Sequence, residues 1–447
     1  MHSLTSLGPT TAGPQMLDLI ERTKRRRPLT ADEFHWLVNA YVAGELPDYQ
    51  VSAWLMAVVL NGLQADETIA LTAALAGSGR RLDLAAHGLA AADKHSTGGI
   101  GDKTTLVMAP LVAALGLPVA KMSGRGLGFT GGTLDKLEAV PGLRVDLSSD
   151  QFIHQAQTIG LVIAGQSADL APGDGKLYAL RDVTGTVDSI PLIAASVMSK
   201  KIVAGARFVV LDVKMGDGAF MERPEAAREL AQTMLEIGKA AGLRIAAALS
   251  WMDQPLGLAI GNALEVAEAV QTLRGGGPAD LRELCLRLSV ELLRLSGIET
   301  DATVARHRLE AALASGAALG KLQAMVEAQG GDPRTLEALH RLPQAPVQLP
   351  VYADASGYVH AIAARSLGYA AIALGAGRTR KGEPIDHATG FVLHVKVGTR
   401  VAPGDLLATV HARTAPAAEQ AVAGVRAAYT LGAAAPSPRP LIAEILR

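Results

Sequence analysis

From Ala92 to Glu138 the chain runs ADKHSTGGIGDKTTLVMAPLVAALGLPVAKMSGRGLGFTGGTLDKLE, and two stretches of it are suited to hold an anion. A short apolar lead-in, Leu89 to Ala92, gives way to polar groups, then to Gly98-Gly99-Ile100-Gly101, then to a helical pattern from about Thr104. A strand, a glycine turn and a helix start, in that order, turn backbone N–H groups and the positive end of a helix dipole toward a negative group. The glycines allow close backbone approach, while Lys94, Ser96 and Thr105 add a cation and two hydroxyls. A second cassette, Lys121-Met122-Ser123-Gly124-Arg125-Gly126, closes with Thr130-Gly131-Gly132-Thr133 and contributes Lys121, Ser123 and Thr133. Either loop alone would be an ordinary capped βα turn. Both together, with His95 inside the first, point to one phosphate gripped from two sides. The spacing matches neither a GxGxxG dinucleotide loop nor a GxxxxGK[ST] loop.

A phosphate site alone does not define a reaction. Ser196 and Lys200 are four residues apart in a helical stretch and so share a face, and Arg181 comes from the helix before it. A guanidinium, an ammonium and a hydroxyl converging on one spot suit a planar ring with carbonyl and imide edges. The other reading of the same residues pairs Arg181 with Asp182 or Asp188 and leaves Lys200 in solvent.

These groups need elements to carry them. Residues 16 to about 78 read as helices: Met16 to Arg26, a second opened by the capping box Thr30 to Glu33, a third from Pro47-Asp48, and a fourth capped by Asp66. Val51 to Leu63 is apolar on nearly every face, so it must lie between neighbours or across a dimer contact. Short apolar strands then alternate with helices; Leu117 to Ala120 and Leu161 to Ala164 read as buried parallel strands. Ala171 to Gly175 reads as a linker before a second helical stretch, Lys176 to about Asp182 and Pro191 to Ala204. The strand Phe208 to Val213, the helix Pro224 to Ala241, the strand Arg244 to Leu249 and the helix Gly261 to Leu273 resume the α/β pattern. Beyond Pro350, β-type runs alternate with glycine turns like a lipoyl or biotinyl sandwich, without the lysine of a carrier tip, and Ala417 to Ala428 forms a last helix. The expected class is α/β. A helical domain of residues 1–78 and 173–204 would join an α/β domain of 79–172 and 205–345, with a mainly parallel sheet, and a β-rich C-terminal domain of 346–447.

With 447 residues and 49% hydrophobic but only 4% aromatic content, the core must be aliphatic. A formal charge of −1 gives no reason to expect nucleic acid, and the run Lys24 to Arg27 suits a helix C-terminus. No stretch has the length and apolarity of a membrane span, and residues 1–15 lack the pattern of a signal peptide. The single cysteine, Cys285, sits among Leu281, Leu284, Leu288 and Leu292 at helical spacing, which marks it as core and suits a reducing, cytoplasmic setting.

The runs DKHSTGGIGD, AKMSGRGLG with TGGT and DKLE, and YALRDVT with TVDSIPLIAASVMSKK resemble pyrimidine nucleoside phosphorylases and the related thymidine phosphorylases, from about Met16 onward. The resemblance implies reversible phosphorolysis of uridine, thymidine and deoxyuridine to free base and an α-sugar 1-phosphate, in a homodimer, with inorganic phosphate as co-substrate and no cofactor. By the same resemblance His95, Arg181 and Lys200 are the catalytic set. Lys94, Ser96, Thr105, Lys121, Ser123 and Thr133 hold phosphate, and Leu127, Tyr178, Val187, Ile193, Ser196 and Phe220 line the pocket for base and sugar. The chain departs from the family in two places. Phe129 replaces a common histidine. Lys103 replaces a threonine beside a monovalent-cation site otherwise built from Gly101, Leu256, Ala259 and Glu268, so Lys103 is expected to take the place of potassium. The rival readings are a strict thymidine phosphorylase, an anthranilate-phosphoribosyltransferase-like enzyme, disfavoured because no acidic pair is evident beside the glycine loops, and a nucleoside-binding protein without turnover.

Overall fold

The computed structural model describes residues 14–447 other than 127, 168 and 381. The chain divides into two compact units, Met1–Arg81 with Ala168–Val203, and Leu82–Ser167 with Ala204–Arg447.

The first unit is helical. It contains α1 (Met16–Lys24), α2 (Ala31–Ala43), α3 (Asp48–Asn61) and α4 (Ala65–Gly77), joined by the later helices Pro172–Thr184 and Ile190–Val203. Thr30 and Glu33 form the capping box expected at the start of α2. In α4, Gln64 takes the N-cap in place of the expected Asp66 and forms a second box with Glu67. The stretch expected as a linker instead starts a helix: Ala171 adopts φ +46° and Pro172 enters the first turn, where its missing N–H costs nothing. Phe34 and Trp54 meet edge to face in the core, with ring centroids 6.2 Å apart, and the Trp54 indole donates to Thr23 Oγ1 at 3.1 Å. One face of α3, with Val51, Trp54, Leu55 and Val58, is fully buried. Its other face leaves Tyr49 and Leu60 more than two-thirds exposed, with Met56 between them, and Leu17 of α1 is exposed as well.

The second unit is built on a six-stranded sheet. Its strands are β1 (Ala92–Ser96), β2 (Val119–Ser123), β3 (Leu161–Gly165), β4 (Phe208–Met215), β5 (Arg244–Trp251) and a final strand, Ile442–Leu446. The order across the sheet is final strand, β5, β4, β1, β2, β3. The first five pair in parallel and the last is antiparallel to β5. Continuous burial along β4 follows from its run of apolar residues, as a strand covered on both faces requires. The final strand lies beyond Ala428, where the sequence shows a helix as its last element; only its pairing with β5 turns five residues into an element.

The C-terminal stretch carries two antiparallel sheets. In one, Gly357–Ile362 lies between Arg400–Val401 and Tyr429–Gly432. In the other, the order is Ala259–Ile260, Gly390–Leu393, Leu406–Ala412, Val347–Tyr352. Because Ala259–Ile260 comes from the α/β stretch, the two regions share a sheet. Their backbones approach closely there: a Cβ on Gly390 would lie 2.0 Å from the Ile260 carbonyl. Among the described residues no helix is long and apolar enough to cross a membrane.

Candidate functional site

The parallel sheet brings the C-terminal ends of β1 and β4 side by side, with Ser96 opposite Asp212. Alternation along β1 sends Lys94 and Ser96 to one face and His95 to the other. On the first face four charges gather out of solvent. The Lys94 ammonium bonds to Thr104 Oγ1 and lies 3.7 Å from Asp102 and 3.6 Å from Asp212. Lys214 pairs with the same Asp212 oxygen at 2.7 Å, and Ser250 donates to the other at 2.5 Å. Ser96 bonds to Asp102 and accepts from the Gly98 N–H at 3.2 Å. Burial alone would push the Asp102 carboxyl up, but Lys94, Lys214, Lys136 and the Ser96 hydroxyl hold it well below the ordinary carboxylate range. Lys214 is raised: burial opposes its charge, but Asp212 and Asp102 favour it. An acidic pair therefore does stand beside the first glycine loop, contrary to the sequence reading, with both carboxylates already met by ammonium groups.

Thr105 is buried in the first turn of the helix Thr104–Ala114. Ser123 ends β2, half-buried, and Thr133 opens the short helix Thr133–Leu137. The second loop is closed by Asp135, which accepts from the Gly126 N–H at 2.6 Å and pairs with Arg378 at 2.7 Å. Its backbone folds so tightly that a Cβ on Gly132 would lie 2.2 Å from the Gly126 nitrogen. Lys121 is placed differently from the other expected phosphate ligands: its ammonium lies 3.4 Å from Asp93 and donates to the Lys94 carbonyl at 2.5 Å. Leu127 lies outside the described residues. Phe220, on the loop after β4, is over one-third exposed.

Lys103, at the N-cap of the helix Thr104–Ala114, is 1% exposed. Its ammonium donates to the Leu256 carbonyl at 3.0 Å, to the Ala259 carbonyl at 2.9 Å and to Glu268. Gly101 lies against the same segment, since a Cβ there would meet the Leu256 carbonyl at 2.5 Å. Cys285 is buried, with burial pushing its thiol up.

Within the helical unit, Tyr178 is the centre of the second constellation. Arg181 lies 5.6 Å and the Lys200 ammonium 5.9 Å from its ring centroid. Arg181 donates to the carbonyls of Thr186 at 3.1 Å, Leu192 at 3.1 Å and Val187 at 2.8 Å. Burial lowers its guanidinium, and Tyr178, Asp174 and Asp188 oppose that shift. Lys200 donates to Ser196 Oγ at 2.9 Å and pairs with buried Asp174. Ile193, Ser196 and Lys200 recur along one face of the helix Ile190–Val203. Asp174 was not singled out in the sequence because it falls where a linker was expected.

Comparison with known proteins gives three domain matches. The model of the glycosyl transferase family helical bundle domain matches residues 17–79, and that of the glycosyl transferase family a/b domain matches residues 88–319. The pyrimidine nucleoside phosphorylase C-terminal domain matches residues 358–432. The chain is 49% identical over 397 residues to a pyrimidine-nucleoside phosphorylase of Geobacillus stearothermophilus, covering 89% of this chain and 92% of that one. It is 50% identical over 398 residues, with the same coverage, to a pyrimidine-nucleoside phosphorylase of Bacillus subtilis (strain 168). A crystal structure of anthranilate phosphoribosyltransferase from Thermus thermophilus superposes with a TM-score of 0.57 at 19% identity, covering 70% of this chain and 99% of that one, a likeness of fold.

The buried cluster predicts a pH signature. A depressed Asp102 contributes stability that is fully present above its ordinary unfolded value of about 3.9 and is lost as pH falls through its lower folded value. Asp102→Asn should melt below the wild type at neutral pH, and the gap should begin to narrow as pH is lowered from about 4 toward 3. Thermal melts across that range check this; a gap independent of pH would mean that the carboxylate charge contributes nothing.

Proposed function

The chain belongs to the pyrimidine-nucleoside phosphorylase family, and we propose that it cleaves uridine, thymidine and deoxyuridine with inorganic phosphate, reversibly. The observation that carries this reading is the pair of cations, Arg181 and Lys200, gathered with Ser196 around the Tyr178 ring. A glycine-loop anion site is common to many chemistries, whereas two cations beside an aromatic ring suit a flat base that becomes an anion as it leaves. Identities of 49–50% over nearly the whole chain support the reaction class.

In the proposed mechanism a phosphate oxygen attacks C1′ as the C1′–N1 bond breaks, and the bonding electrons pass into the pyrimidine. Arg181 and Lys200 stabilise that charge where it develops, and His95 delivers a proton to the O2 edge. Displacement from the face opposite the base yields the α-sugar 1-phosphate. Lys94, Ser96, Thr105, Ser123 and Thr133 orient phosphate. Lys121 belongs to the same set: its ammonium meets Asp93 and the Lys94 carbonyl, much as that of Lys94 meets Asp102 and Asp212. Tyr178, Val187, Ile193, Ser196 and Phe220 contact base and sugar.

The proposal extends to assembly and ions. Tyr49, Met56 and Leu60 make an exposed apolar stripe on α3 that suits a second copy of the chain, so the protein is read as a homodimer. A cytoplasmic setting accords with its single buried cysteine. Lys103 already bonds to Leu256, Ala259 and Glu268, the residues expected to hold a monovalent cation. A second positive charge at about 4 Å in so buried a place would cost about 4 kcal/mol. Lys103 is therefore read as standing in for potassium, and the reaction needs no cofactor.

Three measurements follow. The wild type should release uracil and thymine from their nucleosides only when phosphate is added, and His95→Ala should lower kcat about 10²-fold or more with little change in phosphate affinity. Release without phosphate, or normal turnover by the variant, would reject those roles. Activity should be indifferent to potassium, and Lys103→Thr should make it potassium-dependent; wild-type activity lost in potassium-free buffer would reject the replacement. Light scattering should give the mass of a dimer, and a monomer mass at every concentration would exclude that assembly.

A further inference from the structure

One helix of the C-terminal region, Ala364–Ala373, touches all three glycine-rich loops of the α/β unit. It meets the first and second at Gly368, where a Cβ would lie 2.5 Å from Ile100 Cδ1 and 2.6 Å from the Phe129 carbonyl. It meets the third, the turn after β4, at Ala364, whose Cβ would lie 2.8 Å from one added to Gly218. Nothing but glycine lets the backbones come so close, so the helix and the loops are fitted to each other.

Arg365 holds that junction. Its backbone N–H donates to Asp217 Oδ2 at 3.0 Å, and its guanidinium donates to the carbonyls of Asp217 and Ala219, both at 3.1 Å. The same guanidinium pairs with Glu222 at 2.7 Å and stacks over Phe129, 4.9 Å from the ring centroid. Phe129 in turn packs on Phe220 with centroids 5.2 Å apart. A Cβ on Gly98 would lie 3.3 Å from the Phe220 ring, so that ring stands directly over the first loop. A fork of N–H donors and a flat cationic face are both used here, which an ammonium cannot reproduce.

We propose that Arg365 is a positioning residue for the reaction: by clamping the turn after β4 and stacking on Phe129, it fixes the Phe220 wall against which the pentose is presented to phosphate. The C-terminal region thereby becomes part of the apparatus that selects the sugar. This rests on the reading of the protein as a nucleoside phosphorylase.

The test compares wild type, Arg365→Leu and Arg365→Lys for phosphorolysis of uridine and deoxyuridine, with thermal melts alongside. Because a displaced wall weakens binding of ground state and transition state alike, Arg365→Leu should lower kcat/KM for uridine about tenfold, mainly through KM, with Tm within about 2 °C. If the wall helps to select the sugar, the ratio of uridine to deoxyuridine kcat/KM should shift about threefold or more. Arg365→Lys should resemble the leucine variant, and Phe129→Leu should change the sugar ratio in the same direction. Unchanged kinetics in Arg365→Leu, full rescue by lysine, or a loss of activity matched by a loss of Tm at constant sugar ratio would each overturn the inference. A wild type inactive on every nucleoside would instead reject the underlying activity.

Discussion

Four charges buried beneath the first glycine loop constrain much of the α/β unit. Lys94, Asp102, Asp212 and Lys214 are almost wholly removed from water, and each would be costly alone. Removing one partner from such a set costs about 3–5 kcal/mol, because a buried charge is left uncompensated. The cluster therefore ties β1 to β4 and holds the turn from Thr97 to Asp102 against them.

A second set of cations works on backbone. The Lys103 ammonium gathers the carbonyls of Leu256 and Ala259, while Lys396 takes those of Pro255 and Gly257 and pairs with Asp280 at 2.9 Å. One lysine comes from the N-cap beside the first glycine loop and the other from the C-terminal region. The segment between them is held from both sides without regular structure, which is how a loop can be as rigid as the sheet it adjoins. Together with the shared strand at Ala259–Ile260 and the final strand on β5, these contacts make the β-rich region a support for the α/β unit.

The helical unit solves a different problem. Arg181 is buried, with three carbonyls satisfying its donors, so its position is set by the turn from Thr186 to Leu192. Lys200 is held by Asp174 and Ser196. Both cations are thus oriented by contacts within their own unit.

What the sequence determined by itself was the material that depends on local pattern. Capping at Thr30, the strand read over Phe208 to Val213, the two glycine loops, and the shared helical face of Ser196 and Lys200 were all legible, because each is written within a few neighbouring residues. Long motifs also marked the family. The pairing of Lys103 with Glu268 was implied by the family resemblance, but tertiary structure alone decided the partners of other charges distant in sequence: Lys94 with Asp212, Lys396 with Asp280, Arg365 with the turn at Asp217. It also decided that five residues near the C-terminus form a strand and that Pro172 begins a helix. A hydrogen bond or ion pair across a hundred residues leaves no periodicity in the chain, since its geometry exists only once the sheet has set which strand ends lie side by side.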